Sequence, residues 1–153
     1  MTTYSDPRMT SPRELLSQSR SVLVIDWPSR DVPESLVRAG LSVTVRYGPG
    51  PNDFAVHELS GGEIVVRPAK SPPRQVDLVY VYRPPGELPD VIARALELGA
   101  KAIWIQSGYS AENLRDPTGC WMSDSLTREV RRQIEAAGLI CLTEPYIGAV
   151  ARG

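Results

Sequence analysis

Residues 76–108 have the sequence VDLVYVYRPPGELPDVIARALELGAKAIWIQSG, the pattern of one complete βαβ unit. The first run, 76–82, is apolar or β-branched at nearly every position, which predicts a strand buried on both faces. Pro84 and Pro85 end this strand because proline cannot donate a hydrogen bond to a sheet ladder. A helix follows, with acidic residues in its opening turns and Gly99 as its C-cap, and residues 101–106 supply the second strand.

The remaining chain repeats this alternation of strands and helices. Further strands are predicted at 22–25, 41–46 and 139–143, and helices at 11–19, about 32–39 and 124–137. Residues 47–62 are rich in turn formers and predict a loop with a helical turn, whereas 63–67 predicts an edge strand or extended chain. The pattern therefore predicts an α/β fold: a Rossmann-like, doubly wound, mostly parallel five-stranded sheet of order 3-2-1-4-5, with helices on both faces.

Size and charge narrow the function classes. With 153 residues, 42% of them apolar, we expect a flexible N-terminus at 1–10 and a single domain at 11–153. The formal net charge of −1 argues against nucleic acid as a partner. We see no run of the length or hydropathy of a membrane span or a signal peptide, so we expect no membrane partner and a cytoplasmic protein.

The sequence of the central unit, residues 76–108, resembles that of a known family. RPP, a helix ending in LGAK, and then WIQSG are similar to the small stand-alone CoA-binding proteins related to the CoA-binding domain of succinyl-CoA synthetase alpha subunits. The corresponding stretch of that family has the form R-P-E, helix, I-G-A-K, W-x-Q-x-G. The likeness spans about 13–146 and is specific in the middle segment. It implies a Rossmann-like fold, coenzyme A as the ligand, and binding rather than turnover, so we expect no enzyme.

Ligands of open α/β sheets bind outside the carboxyl ends of the strands. This rule and the resemblance together predict a site for a nucleotide-type small molecule, formed by residues that follow the strands. These cofactor-binding candidates are Asp26, Trp27, Pro28, Ser29, Arg30, Arg46, Arg83, Pro84, Gln106, Ser107, Gly108 and Tyr146.

The first loop departs from the family. Relatives usually have a glycine-containing V-G-x-S turn there, which lets a pyrophosphate approach the backbone. In this chain Asp26 places a carboxylate where phosphate would lie, Trp27 adds bulk and Pro28 removes a backbone donor. Ser29 and Arg30 offset this by offering donors to an anion. The alternative is structural, with Asp26 or Ser29 capping the next helix, and it leads to a second hypothesis: an interaction domain that keeps the scaffold and has lost the nucleotide.

The other candidates also have structural alternatives. Arg46 follows the second strand, where it would contact the phosphate on the ribose of CoA or simply be solvated. Arg83 is either a ligand contact or part of a surface ion pair. Gln106 offers its amide to a ligand or satisfies loop backbone, and Gly108 allows close approach. Tyr146 would stack or hydrogen-bond at the exit of the last strand.

No catalytic or metal-binding set is evident. His57 is the only histidine and falls in a predicted loop without an acid-base partner nearby in sequence. Cys120 and Cys141 form no Cys-x-x-Cys or nucleophile motif. The long predicted loop 109–123 carries an apolar pair, Trp121-Met122, that would cover the ligand, meet a partner subunit or return to the core. A homodimer or a partner protein is thus an open expectation.

Overall fold

The computed structural model describes residues 11–25, 31–48, 50–69, 71–82, 85–106, 124–143 and 147–153. Within these ranges the helices are α1 (Pro12–Gln18), α2 (Asp31–Arg38), α3 (Leu88–Glu97), α4 (Asp124–Ala136) and α5 (Ile147–Arg152). The strands are β1 (Ser21–Ile25), β2 (Ser42–Arg46), β3 (Phe54–Ser60), β4 (Glu63–Pro68), β5 (Leu78–Val81), β6 (Ala102–Ile105) and β7 (Ile140–Leu142). A short 3-10 turn, Pro85–Glu87, leads into α3.

The described strands form one mostly parallel sheet. Their order is β4-β3-β2-β1-β5-β6-β7. The pairs β1–β2, β1–β5, β5–β6 and β6–β7 are parallel, and β2–β3 and β3–β4 are antiparallel. The predicted α/β class with a mostly parallel sheet is therefore confirmed.

The predicted strand count and the order 3-2-1-4-5 are wrong in detail. The described sheet has seven strands, and the strand predicted as third, here β5, pairs with β1 (Leu23↔Val79) rather than with β2. The neighbour of β2 is instead β3, which lies in the segment predicted to be a loop. Because β3 and β4 form a hairpin along that side of β2, the next parallel strand lies on the other side of β1. The edge-strand alternative for residues 63–67 is confirmed by β4.

Helices cover both faces of the sheet, as predicted. Residues alternate between the faces along each strand, so Leu23 and Ile25 pack on one side and Val22 and Val24 on the other. The first side is covered by α3 and α4, and the second by α1, α2 and α5. Trp104 is fully buried on the second side. The central strands are buried on both faces, which explains their continuous apolar sequence.

Two local signals behave as the sequence indicates. The hydroxyl of Ser11 accepts a hydrogen bond from the Glu14 amide at 3.1 Å and caps α1. Gly99 follows α3 with a φ of +70°, a conformation that L side chains rarely adopt. These end signals fix where α1 starts and where α3 gives way to β6. Because β2, β1, β5, β6 and β7 are parallel to one another, they all end at the same edge of the sheet.

Candidate functional site

Two of the predicted site residues lie in the described part of the structure. Arg46 is the last residue of β2 and Gln106 directly follows β6. The other candidates lie outside the described residues: Asp26, Trp27, Pro28, Ser29, Arg30, Arg83, Pro84, Ser107, Gly108 and Tyr146. Their roles stay predictions.

Arg46 and Gln106 lie along one edge of the sheet. Arg46 is in register with Ile25 at the end of β1. The backbone amide of Gln106 donates a hydrogen bond to the Val81 carbonyl at the end of β5, at 2.9 Å. Two strands, β1 and β5, separate the strands that carry them. At the usual strand spacing their backbones are roughly 14 Å apart. One extended ligand would span both positions, whereas a small ligand would contact only one.

The strand order places a topological switch point at this edge. β1 is joined through α2 to its neighbour β2, while its other neighbour, β5, follows only after the β3–β4 hairpin. In open α/β sheets such a point leaves a crevice beyond the carboxyl ends of the two strands. The loop predicted to hold pyrophosphate, 26–30, joins β1 to α2 at this place in the chain.

A cleft of about 400 Å³ adjoins the ends of β1 and β2. Ile25 and Arg46 form its strand side, and the 3-10 turn and α3 form its helix side. The helix side consists of Glu87, Asp90, Val91, Ala93, Arg94 and Glu97. Apolar contact, two guanidinium groups and three carboxylates therefore surround one space. The α3 residues that line it were not identified from the sequence, because an exposed helix face with mixed charges has no ligand signature.

Arg46 is held by the loop that follows it. Its side chain is half-buried, and its Nε donates to the Gly48 carbonyl at 3.1 Å. The Asp53 carboxylate accepts from the Gly50 amide at 2.8 Å, and the Asp53 carbonyl accepts from the Tyr47 amide at 3.0 Å. A Cβ on Gly48 would lie 2.5 Å from the Asp53 carboxylate oxygen, so any other residue there would displace this carboxylate. The loop thus limits the positions that the Arg46 guanidinium can take.

Gln106 has a structural partner. Its side chain is buried, and its Oε1 accepts a hydrogen bond from the amide of Ile147, the first residue of α5, at 3.3 Å. This bond satisfies one of the amides that a helix start leaves without an intrahelical acceptor. The structural alternative for Gln106 is therefore supported directly. Its contact with a ligand stays a prediction.

His57 lies away from the cleft. It is on strand β3 rather than in a loop, so that part of the sequence prediction is wrong. The side chain is 5% exposed, and burial lowers the pKa of the imidazole, partly offset by the nearby Glu34 carboxylate on α2. Because Phe54 packs on the α3 side and strand residues alternate, His57 faces the α2 side. It does not face the cleft that contains Arg46.

The described part of the chain shows no metal-binding cluster and no membrane-spanning helix. No cluster of three or more histidine, cysteine or acidic side chains with metal-ligand geometry occurs among the described residues. Cys141 is buried in the core beneath α4. None of the described helices combines the length and hydropathy needed to cross a bilayer. The cleft beside Arg46 is the one that adjoins the carboxyl ends of β1 and β2, where the strand-end rule predicts a ligand.

A comparison with protein families matches residues 25–150 to the CoA binding domain. The chain belongs to the CoA binding domain family. The match covers most of the chain and includes every predicted site residue, so the resemblance found in residues 76–108 is confirmed at the level of the family.

Solved structures support the Rossmann-like fold of this CoA binding domain. Prb, the PH1109 protein redesigned for binding, is 23% identical, with a TM-score of 0.56 over 91% of this chain and 86% of that one. The protein cell-free ID.343 from Thermus thermophilus is 26% identical, with a TM-score of 0.54 over 90% of this chain and 92% of that one. A comparison with curated proteins found no match.

Proposed function

We propose that this chain is a non-catalytic module that binds coenzyme A or a related adenine nucleotide at the carboxyl edge of its sheet. The observation that carries the proposal is the cleft between the ends of β1 and β2 and helix α3, with Arg46 on its strand side. Its volume of about 400 Å³ is at the lower end of the usual range for ligand pockets, roughly 300–1,000 Å³. This size suits the nucleotide end of CoA, and the rest of the molecule would extend along the strand ends toward Gln106.

The residues of the cleft match the chemistry of an adenosine 3′-phosphate. Ile25 and Val91 offer an apolar surface to the adenine ring. Arg46, half-buried and oriented by Gly48, would donate to the phosphate on the ribose, as a guanidinium does at comparable positions of dinucleotide folds. The carboxylates of Glu87 and Asp90 would accept from the adenine amino group or a ribose hydroxyl.

The loop 26–30 decides how firmly the pyrophosphate would be held. Asp26, Trp27 and Pro28 replace the family's glycine-containing turn, and each works against pyrophosphate binding. The first turn of α2 adds Pro33, which has no amide hydrogen, and the negative charge of Glu34. Both features weaken the attraction of a helix N-terminus for an anion. We therefore propose that this chain binds CoA more weakly than a relative with V-G-x-S, through Arg46 more than through the first loop.

The second candidate is an interaction domain that retains the scaffold and has lost the nucleotide. The same loop sequence favours it, because a carboxylate at the phosphate position repels a pyrophosphate in the absence of a compensating cation. Both candidates are non-catalytic. The location of His57 on the other face of the sheet supports that part of the proposal, since it separates the single imidazole of the chain from the cleft. We also propose a cytoplasmic location.

Calorimetric titration with CoA, acetyl-CoA, NAD and ATP distinguishes the two candidates. Saturable binding of CoA supports the first, and no heat or thermal shift with any of them at about 1 mM contradicts it, since binding at a hundredfold excess over Kd stabilises by about 2.7 kcal/mol.

An Asp26→Gly variant then tests the loop itself. We expect tighter CoA binding, by about tenfold, because a negative charge that would repel the phosphate is removed and glycine lets the phosphate approach the backbone. An Asp77→Gly variant is the matched control, since it also removes a carboxylate but lies before β5, at the opposite edge of the sheet from the cleft. Unchanged CoA affinity in Asp26→Gly would show that the carboxylate caps α2 instead.

A further inference from the structure

The outer edge of the sheet is a strand with exposed apolar side chains. β4 is last in the strand order, paired on one side with β3. Val65 and Val66, consecutive residues that point to opposite faces, are 45% and 54% exposed. Leu59 on β3, opposite Ile64, is 51% exposed. Such an edge is a template for pairing with another strand.

The hairpin geometry shows which β4 groups face outward. Gly61 and Gly62 have positive φ values and form a two-residue turn closed by Ser60 and Glu63, which makes that closing pair a hydrogen-bonded one. At the other end the Ala69 amide donates to the Phe54 carbonyl at 2.9 Å, in the same phase. The odd-numbered residues of β4 therefore bond to β3. Its even-numbered residues point their backbone groups outward.

The outward groups are suited to a short partner strand. Ile64 and Val66 each present an amide hydrogen and a carbonyl along the edge. Pro68, the next outward residue, has no amide hydrogen, which is the arrangement expected of proline on a sheet edge. Continuous pairing along β4 is thus limited to a few residues centred on Val65.

We propose that a second copy of this chain pairs with β4, antiparallel, about a two-fold axis at Val65. In this register Ile64 of each copy faces Val66 of the other, so both outward amides of each strand find acceptors. Val65 faces Val65 of the second copy. Glu63 of each copy faces Arg67 of the other, and the dimer gains two ion pairs of opposite charge. The two sheets join into one continuous sheet across the axis.

Charge and proline select this register over its neighbours. A shift of two residues in one direction places Val65 opposite Arg67 and leaves the Ile64 carbonyl opposite Pro68, which has no donor. The opposite shift places Glu63 opposite Val65 and Val66 opposite the turn residue Gly62. Neither shifted register pairs the charges. The self-complementary arrangement is the one in which apolar residues meet apolar residues and Glu63 meets Arg67.

Arg67 is already oriented for this role. It forms an ion pair with Glu58 of β3, and Glu58 is in register with Val65, on the face that also carries Glu63 and Arg67. The guanidinium would then bridge one carboxylate of its own hairpin and one of the second copy. Edge charges and prolines also serve to prevent pairing, but protection does not require charges of opposite sign placed symmetrically about the central residue.

Sedimentation velocity on the full chain, from about 1 µM to about 500 µM, tests the proposal. We expect a reversible dimer with a Kd on the order of 10 µM, because a short strand contact is at the small end of specific interfaces. Glu63→Arg and Arg67→Glu should each weaken the dimer by about tenfold or more, since each places like charges opposite each other. Lys101→Glu is the control, an exposed charge reversal directly before β6 and away from β4.

Mixing the two variants gives the decisive result. An equimolar mixture of Glu63→Arg and Arg67→Glu should form a heterodimer about as tightly as the wild type, because all four charges then meet opposite partners. Amide exchange gives a second readout, with Val66 protection rising with protein concentration while Val65 stays protected within the hairpin. A wild type that remains monomeric at every concentration, or a mixture no tighter than either variant, would overturn the proposal. If the wild type is monomeric, the charges and proline of β4 protect the edge from pairing, or the edge binds an extended peptide instead of a second copy.

Discussion

Replacing Arg46 with glutamine should weaken CoA binding through one group of the ligand, the 3′-phosphate. Arg46 is half-buried at the end of β2. At a separation of about 4 Å and an effective dielectric of about 20, two unit charges interact by about 4 kcal/mol. Desolvation and ordering of the side chain offset part of this, which leaves about 1.5–3 kcal/mol for a hydrogen bond to a charged group. The expected loss of CoA affinity is therefore about 10- to 100-fold.

Calorimetric titration of the wild type and Arg46→Gln with CoA and with dephospho-CoA isolates this contribution. Dephospho-CoA lacks the 3′-phosphate, so the substitution should change its affinity by less than about threefold. Arg74→Gln serves as the control, because Arg74 is exposed and precedes β5, at the opposite edge of the sheet. An equal loss of affinity for CoA and dephospho-CoA in Arg46→Gln would refute the reasoning. It would mean that the substitution disturbs the loop around Gly48 rather than a phosphate contact.

Three further substitutions test which contacts stabilise the fold. Gln106→Ala should lower the free energy of unfolding in urea by about 2–4 kcal/mol, because it removes the acceptor of the buried Ile147 amide and leaves a cavity; a loss under about 0.5 kcal/mol would contradict this role. His57 is buried with a lowered pKa, so the unfolded chain binds its proton more readily, and stability should be full above pH 6.5 and fall as the pH drops below it. His57→Gln should flatten this dependence in urea titrations at pH 7.5 and pH 5, and an unchanged slope would assign it to other groups. Gly48→Ala should cost about 1 kcal/mol by displacing the Asp53 carboxylate from its hydrogen bond, and in an Asp53→Ala background the same change should have little effect.

The central βαβ unit was predictable because its signals are local. β5, α3 and β6 all fall within residues 76–108, and Gly99 lies where the C-cap was expected. Apolar runs, helix caps and prolines act on neighbouring residues, so they identify elements without knowledge of the partner strands.

The hairpin of β3 and β4 was partly missed, although a signal for it exists. Turn formers at 47–53 mask the strand-forming residues of FAV that follow, and a second β-branched run, IVV, comes after Gly61-Gly62. Two runs of strand-forming residues on either side of a two-residue glycine turn are a hairpin signal. With β3 and β4 present, the predicted order had to be wrong, since the chain places an additional antiparallel pair beside β2.

The common edge that carries Arg46 and Gln106 was predictable, and the contacts of these two residues were less so. The strand-end rule correctly places Arg46 and Gln106 on one edge of the sheet, since parallel strands share the direction in which they end. It cannot show that Gln106 holds the start of α5, because its partner Ile147 is 41 residues away in sequence. Nor could it select the face of α3 that lines the cleft beside Arg46.

Local sequence thus carries the α/β class, most of the helices and parallel strands, and the family of this chain, because short-range sterics and periodic burial determine each of them. Tertiary structure sets the strand order, the pairing of β5 with β1, the cleft against α3 and the outward direction of the Ile64 and Val66 amides. These features depend on hydrogen bonds and packing between residues far apart in the chain, which compete with one another for the same sheet edges.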